Sequence, residues 1–562
     1  MKILILDAHS NAALAIVQSL GRAGYELYLA GASSDVISWH SKYPRQHFIY
    51  PDPLMDKDLF KNWMLDIQTQ IQFDKIIPVT DNTIYPLMEL TADTILVNSF
   101  ILPDKKSFEW AFNKEKSLEL ASRLKIPVPE SARIKSSSWA PQDFKKFPYF
   151  VKPVHSKAWR EGTGKILEPK IVKTKDELMT CVEEFLDFGH VLIQERVPGK
   201  GVGIEVLCRH GEIVQSFAHQ RIHEYPLTGG GSSYRMSIPL PPHLMEAAQK
   251  LLKEIHWHGV AMVEFKTHQD NFWLMEINGR FWGSLPLAIF AGVDFPKSLI
   301  ELIFQDKLPL QTNYRKKVYA RHLKVDIQWF KANLRADKKN PYLLTRGVFI
   351  SLLELLRIFT GKECWDHASF KDPKPILKEI SKIFTTEWAA FTSKLKMKAV
   401  LKDAKKDSFK AINKQSPRRI LILCYGNICR SPFVERYLQK LFQNRLIQVK
   451  SSGFYNIPAR PSPTAFIHIA KEAGIDLSDH RSSVIDHRLA NWADIIVIMD
   501  GKNWNLLIEF DKKLPAKTVW LGAFLDKKDI EIDDPYSKNE SQMREIIADL
   551  IEASQSLAKQ IG

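Results

Sequence analysis

The segment Cys424-Tyr-Gly-Asn-Ile-Cys-Arg430-Ser431-Pro432 constrains this chain more than any other. It follows an apolar run, Ile420-Leu-Ile-Leu423, with the length and composition of a buried strand. It precedes residues 433–442, where Val434, Tyr437, Leu438, Leu441 and Phe442 fall on one helical face. Ser431 is a favourable N-cap, and Pro432 suits the first helical position. The pattern predicts a cysteine held in a strand-to-helix loop, where backbone N–H groups converge on an anion. A thiol in such a loop ionises near neutral pH. The arginine six residues later can return across the loop and grip two phosphate oxygens with its planar fork. A buried structural cysteine before an unrelated helix would show the same spacing, so the neighbouring sequence has to decide. With that context, the chemistry is that of a cysteine-dependent phosphatase.

The full string, at the N-terminal edge of residues 418–562, resembles the signature of the low-molecular-weight protein tyrosine phosphatases. Asp534-Pro535-Tyr536 is similar to that family's general-acid loop, and Asp479-His480-Arg481-Ser482 sits where the family carries a similar run. The resemblance implies that Cys424 is the nucleophile and forms a phosphocysteine. Arg430 would bind the phosphoryl oxygens, the Ser431 hydroxyl would support the thiolate, and Asn427 would fix the loop. Asp534 would protonate the leaving phenolate and then activate water. Tyr536 would wall the cleft beside a phosphotyrosine protein or another aryl phosphate. Cys429 is either a resolving partner, forming a reversible disulfide with Cys424 under oxidation, or a small loop filler. Thioredoxin-coupled arsenate reductases share the loop but need a later resolving cysteine, and none follows Cys429.

The rest of the chain is larger than this domain. Its 562 residues suffice for three or four domains. The five cysteines (181, 208, 364, 424 and 429) are few, odd in number and not at metal-ligand spacing, which suits a reducing, cytoplasmic setting. The N-terminus reads as a short strand and an Ala-rich helix rather than a signal peptide, and no apolar run approaches the ~20 residues of a membrane span. Residues 1–105 alternate in α/β fashion, with strand candidates at 3–6, 25–30, 75–79 and 95–97 and a helix at 12–20. Asp7-Ala-His-Ser-Asn lacks G-x-G-x-x-G, so no dinucleotide is expected there.

Between 106 and 310 several strands end in charged residues: 147–153 with Lys152, 191–195 with Glu195, and an apparent hairpin of 260–265 and 273–278 around Gln269-Asp270. With an odd number of loop residues, Glu264 and Glu276 stand opposite each other, and period-two alternation puts Asn278 on the face of Glu276. Two carboxylates and an amide oxygen suit Mg²⁺, which binds few protein oxygens plus phosphates. This ordered set resembles the ATP-grasp superfamily, especially its carbamoyl-phosphate-synthetase-like and biotin-carboxylase-like members. The resemblance implies that Lys114 and Lys152 contact ATP phosphates and that Glu195 and Val197 form the adenine hinge. Glu264, Glu276 and Asn278 would hold Mg²⁺ (or Mn²⁺), and Arg280 would steady the reacting phosphate. His219, Arg221, His223, Tyr234 and Thr228-Gly-Gly-Gly231 would shape the acceptor side. The implied reaction joins a small-molecule carboxylate to an amine through an acyl phosphate. The loop 152–164 departs from the family in lacking a dense glycine run, with Ser156, Lys157 or Arg160 as substitutes.

Residues 311–417 read as a basic helical connector. In 331–420 there are 21 Lys and Arg against 9 Asp and Glu, a net +12 out of +15 for the whole chain. The segment 394–419 has ten basic and two acidic residues. A solvated linker helix is the bland reading. Attraction to an anionic membrane surface at the inner face, helped by the apolar stretch 348–359, is the sharper one. Nucleic acid is not expected, because 394–419 carries one aromatic, Phe409, and no recognition motif. The expected fold is a multidomain α/β and α+β chain. It comprises a pre-ATP-grasp βαβ domain (1–105), an ATP-grasp domain (106–310), the connector (311–417) and a doubly wound parallel-sheet phosphatase domain (418–562). The function expected is a bifunctional ligase and phosphatase; the alternative is a regulated phosphatase whose ATP-grasp half senses nucleotide or scaffolds the chain.

Overall fold

The computed structural model describes residues 1–90, 99–136, 138–160, 162–309, 313–527, 529–536 and 538–562. They fall into two compact units, Met1–Phe384 and Thr385–Gly562, with the division inside the helix Lys374–Gln415. The strand expected at 95–97 lies outside the described residues.

The N-terminal unit opens with a parallel sheet ordered Pro44–Ile49, Glu26–Gly31, Lys2–Ile5, Lys75–Ile77. The first of these, absent from the strand candidates above, is an edge strand that begins with proline and leaves Arg45 and Gln46 exposed, so its sequence lacks a buried run. Ser10 caps the helix Asn11–Arg22, and its alanines let that helix pack closely, with Ala12, Ala13, Ala15 and Ile16 buried. Asp7 replaces a glycine loop with a carboxylate anchor. It is fully buried, and its Oδ2 accepts from the Val79 and Thr80 N–H groups (2.9 and 2.8 Å) and the Thr83 hydroxyl (2.6 Å).

Two further layers frame a cleft. An antiparallel sheet runs Ser131–Ile134, Val191–Glu195, Tyr149–Pro153, Lys170–Val172, covered by the helix Lys175–Leu186 through Leu178, Val182 and Phe185. The expected phosphate loop is a hairpin, Lys157–Arg160 with Thr163–Ile166. The larger sheet has seven strands: Asn271–Asn278, Gly259–His268, Lys200–Arg209, Glu212–Tyr225, Gly231–Ser237, Tyr319–Arg321 and Glu363–Trp365.

The last two of these strands correct the connector expected over 311–417. They are three residues each, too short for periodicity to reveal. Acids of the connector expected to be a solvated linker are instead buried in pairs: Glu363 accepts from Arg321 (2.8 Å), and Asp366 pairs with Arg235 of the sheet at 1% exposure each.

The C-terminal unit is a parallel sheet ordered Gln448–Gly453, Arg419–Cys424, Ile495–Ile498, Thr518–Trp520. The helix Arg430–Leu441 follows the central strand, and the helix Glu540–Ile561 closes the core. Residues 397–412 belong to this core as well. Ala404, Ala411 and Ile412 are buried in it, and the Ser408 hydroxyl oxygen accepts the Trp520 N–H at 3.0 Å. That stretch is therefore packed rather than a solvated linker.

Candidate active sites

In the C-terminal unit the strand Arg419–Cys424 ends on Cys424, and the chain turns into a helix that starts at Arg430. This corrects the expected N-cap. Ser431 lies inside the first turn, and its hydroxyl sits 3.0 Å from Cys424 Sγ instead of capping the helix. Pro432 is tolerated there because first-turn N–H groups have no intrahelical partner. The buried face is Phe433, Val434, Leu438 and Phe442; Leu441, expected on it, is exposed.

Asn427 organises the loop. It is buried with φ +49°, in the left-handed region that asparagine tolerates better than most residues. Its N–H points at Cys424 Sγ (3.3 Å), and its Nδ2 donates to Ser431 Oγ (2.9 Å) and Ser451 Oγ (2.8 Å). Its Oδ1 accepts the Ser483 N–H (2.8 Å), and His480 Nε2 lies 2.7 Å from its carbonyl oxygen. Within the run 479–482 it is His480 that props the loop, whereas Asp479 pairs with Arg436 at the surface. Gly453 must be glycine, because a Cβ there would lie 2.9 Å from both Asn427 N and Tyr425 O.

Arg430 is 1% exposed. It donates to Asp500 (2.6 Å), the Ile532 carbonyl (2.8 Å) and Asp534 (2.7 Å), while its buried Nε has no partner. Burial works against its charge, but Cys424, Asp500 and Asp534 outweigh that and keep the guanidinium ionised. Asp534 is half-exposed at the rim, and the Tyr536 N–H donates to its Oδ1 (3.1 Å). Tyr536 itself is exposed. Burial, reinforced by Cys424, pushes the Cys429 thiol well up, so it stays protonated.

In the N-terminal unit a cavity of about 440 Å³ is lined by Lys152, Glu195, Val197, Glu264, Glu276, Asn278 and Arg280. Seven of the eight residues expected to hold ATP and the metal therefore line one cavity. The eighth, Lys114, is bonded to Ser156 Oγ at 2.7 Å, which ties it to the start of the hairpin of residues 157–166. Burial lowers its pKa against the pull of Glu276 and Asp81. Lys152 donates to Gln194 (2.6 Å), and burial brings its pKa down to about 8.

Glu264 and Glu276 are cross-strand partners, but not for the reason expected. The turn has two residues, with His268 opposite Asn271, and a bulge at Met275 restores the pairing. Asn278 Nδ2 donates to Glu264 (3.3 Å) and Glu276 (3.1 Å). Burial, with Glu276, pushes the Glu264 carboxyl up against the opposing pull of Arg221. Burial acts the same way on Glu276, but Lys114, Asn278, Lys152 and Arg221 outweigh it and hold that carboxyl down. Among the described residues no group of three or more His, Cys, Asp or Glu is poised for a metal. A cation here would rest on two carboxylates, the Asn278 amide turned to present Oδ1, and phosphate oxygens, which fits Mg²⁺.

His219 and Arg221 line the cavity, but His223 and Tyr234 do not. Register shifts between Arg221 and Glu224 break the alternation and turn His223 into the core. It stacks on Trp329 (3.4 Å, 6°), between Asp326 (2.8 Å) and Glu354 (3.0 Å). Tyr234 is likewise buried, donating to Glu363 at 2.8 Å.

Comparison with known proteins matches both halves. A family model for low molecular weight phosphotyrosine protein phosphatases covers residues 419–562. The low molecular weight protein-tyrosine-phosphatase Etp of Escherichia coli K12 is 31% identical over 143 residues, 25% of this chain and 94% of the relative. Through its C-terminal unit, this chain belongs to the low molecular weight protein-tyrosine-phosphatase family. A model described as ATP-grasp in the biosynthetic pathway with Ter operon covers residues 187–331, so the chain joins an ATP-grasp half to the phosphatase. Among solved structures, Wzb from Escherichia coli K30 in complex with sulphate is 29% identical, over 26% of this chain and 99% of that one, with a TM-score of 0.25. An L-amino acid ligase from Bacillus licheniformis is 15% identical, over 57% of this chain and 78% of that one, with a TM-score of 0.42.

Three further residues hold these sites without belonging to the motifs above. Asp500 stands two residues past the strand Ile495–Ile498, caps the helix Gly501–Phe510 and holds Arg430; an aspartate between an apolar run and a helix is its visible signal. Ser451 of the phosphatase sheet had no comparable mark. Asp81, which accepts from Arg280 Nε (2.7 Å), stands at the start of the helix Asp81–Leu90 and was signalled by the same strand-to-helix aspartate.

Proposed function

We propose that the chain is a bifunctional enzyme: a phosphatase that hydrolyses phosphotyrosine or related aryl phosphates through a phosphocysteine, and an ATP- and Mg²⁺-dependent ligase that joins a carboxylate to an amine. The observation carrying the first part is Cys424 Sγ, held between the Ser431 hydroxyl and the Asn427 N–H beside a buried, charged Arg430. The Cys424 thiolate attacks phosphorus as the bond to the aryl oxygen breaks, and Asp534 delivers its proton to that oxygen. Water then attacks the phosphocysteine. Asp534 takes the water's proton, and the S–P bond breaks to release phosphate and restore the thiolate. Arg430 donates to the transferring oxygens, and Ser431 supports the sulfur as a leaving group.

For the ligase half, the supporting observation is the single cavity that gathers Lys152, Glu264, Glu276, Asn278 and Arg280. Lys114 and Lys152 would bind phosphates, Glu195 and Val197 the base, and Arg280, fixed by Asp81, the reacting group. Glu264, Glu276 and Asn278 would hold the cation (Mg²⁺, with Mn²⁺ as a substitute), which supplies charge neutralisation when bound. His219 and Arg221 are the acceptor-side candidates that remain. The division proposed near 105 bounds a pre-ATP-grasp domain, the ATP-grasp sheet continues to Trp365, and the phosphatase sheet begins just past 418 with residues 397–412 packed into its core.

The decisive experiment measures ADP release by the full chain with panels of carboxylates and amines, beside aryl phosphate hydrolysis. Tight MgATP binding without turnover on any pair would favour the sensor reading, which the glycine-poor hairpin keeps in view.

A further inference from the structure

The helix Val348–Leu355 and the turn Leu356–Thr360 after it are built inside out. In the helix the polar residues face inward: Ser351 and Glu354 are 1% exposed, and Glu354 meets His223 Nε2 (3.0 Å) and Arg346 (2.7 Å). Their apolar residues face out. Phe349 is 73% and Phe359 85% exposed, and Ile350, Leu352, Leu353 and Leu356 each expose about half their surface. A hydrocarbon face of this size on a folded unit marks an interaction surface.

The charge around it identifies the partner. Residues 331–384 contain six acidic and eleven basic side chains. Five of the six acids (Glu354, Glu363, Asp366, Asp372 and Glu379) are buried, bonded to inward groups such as Arg321, Arg235, Gln18 and His367. Asp337 alone among the acids is exposed, whereas no basic side chain of the segment is buried. The segment therefore shows its surroundings almost only cations, Lys338, Lys339, Lys362 and Lys371 among them. We propose that the face 348–359 docks on an anionic lipid surface, its apolar side chains entering the headgroup boundary while the flanking lysines and arginines meet lipid phosphates. An outward face with no exposed polar residue from 348 to 356 suits lipid better than a protein interface with its polar rim. The segment is too short to cross a bilayer, so it lies along the surface.

The test is co-sedimentation of the full chain with vesicles of phosphatidylcholine alone and of phosphatidylcholine mixed with phosphatidylglycerol. Binding is expected only to the mixed vesicles, and it weakens as salt rises. The double variant Phe349→Gln/Phe359→Gln should lower the bound fraction by about tenfold or more, since each aromatic removed is lost insertion. Leu352→Gln/Leu353→Gln should do the same, and a retained thermal transition and aryl phosphatase activity would show that each variant is folded. Absence of vesicle binding by the folded wild type overturns the proposal, as does binding that both variants retain. A dimer that the same substitutions dissociate, without vesicle binding, also overturns it and assigns the face to a second copy.

Discussion

Asn427→Ala is the most informative single change in the phosphatase loop. The side chain makes three hydrogen bonds, a buried one to Ser431 and partly buried ones to Ser451 and the Ser483 N–H, and its removal strands those partners. At about 1 kcal/mol per bond, the loss is roughly 3 kcal/mol. Alanine at φ +49° adds about 1 kcal/mol of backbone strain. A total near 4 kcal/mol lowers the Tm of a unit this size by about 10 °C. Asn427→Gly removes the same bonds but not the strain, so it should be less destabilised by about 1 kcal/mol, or roughly 3 °C. Calorimetry of the full chain reads both values, with the phosphatase transition identified as the one that inorganic phosphate raises. Both variants should also lose aryl phosphatase activity, because Cys424 and Ser431 lose the brace between them. An alanine variant within about 3 °C of wild type, or one equal to the glycine variant, would refute the reasoning.

Other outcomes follow from the same geometry. Asp534→Ala should slow hydrolysis of aryl phosphates with poor leaving groups by about 10²-fold or more, and of activated nitrophenyl esters much less; an equal effect on both would remove Asp534 as the proton donor. Because Lys152 is lowered to about 8, its ammonium is lost as pH rises through that value, so MgATP affinity should fall above it. Lys152→Arg should abolish that fall, and a wild-type affinity that is flat with pH would contradict the assignment. Ser408→Ala leaves the Trp520 N–H without its partner and should destabilise the phosphatase transition by about 1–3 kcal/mol. A transition that did not move would return that helix to the role of a passive linker.

What could be read from the sequence followed from local chemistry. The strand, loop and helix around Cys424 are contiguous, so their arrangement is largely visible, and Lys152, Glu264, Glu276 and Asn278 stand out as polar residues in otherwise apolar strand runs. Long-range geometry was hidden. The Glu264–Glu276 pairing depends on a bulge at Met275 that no periodicity announces, and the bulges after Arg221 sent His223 to the core instead of the cavity. Ser431 looked like a cap because serine before proline usually is one, yet the nearby thiol offered its hydroxyl a different partner. The basic excess of 331–420 is plain in the composition, but its meaning lies in which charges are buried. Composition cannot separate an inward glutamate from an outward lysine.

The central claim is that one chain carries two separate chemistries, and paired variants of the full protein test it most directly. Aryl phosphate hydrolysis and the MgATP-induced rise in Tm of the N-terminal unit are measured on wild type, Cys424→Ser and Glu276→Gln. The account predicts that Cys424→Ser abolishes hydrolysis and keeps the MgATP response, while Glu276→Gln does the reverse. Full hydrolysis by Cys424→Ser, or a wild-type N-terminal unit whose Tm does not respond to MgATP, would contradict it.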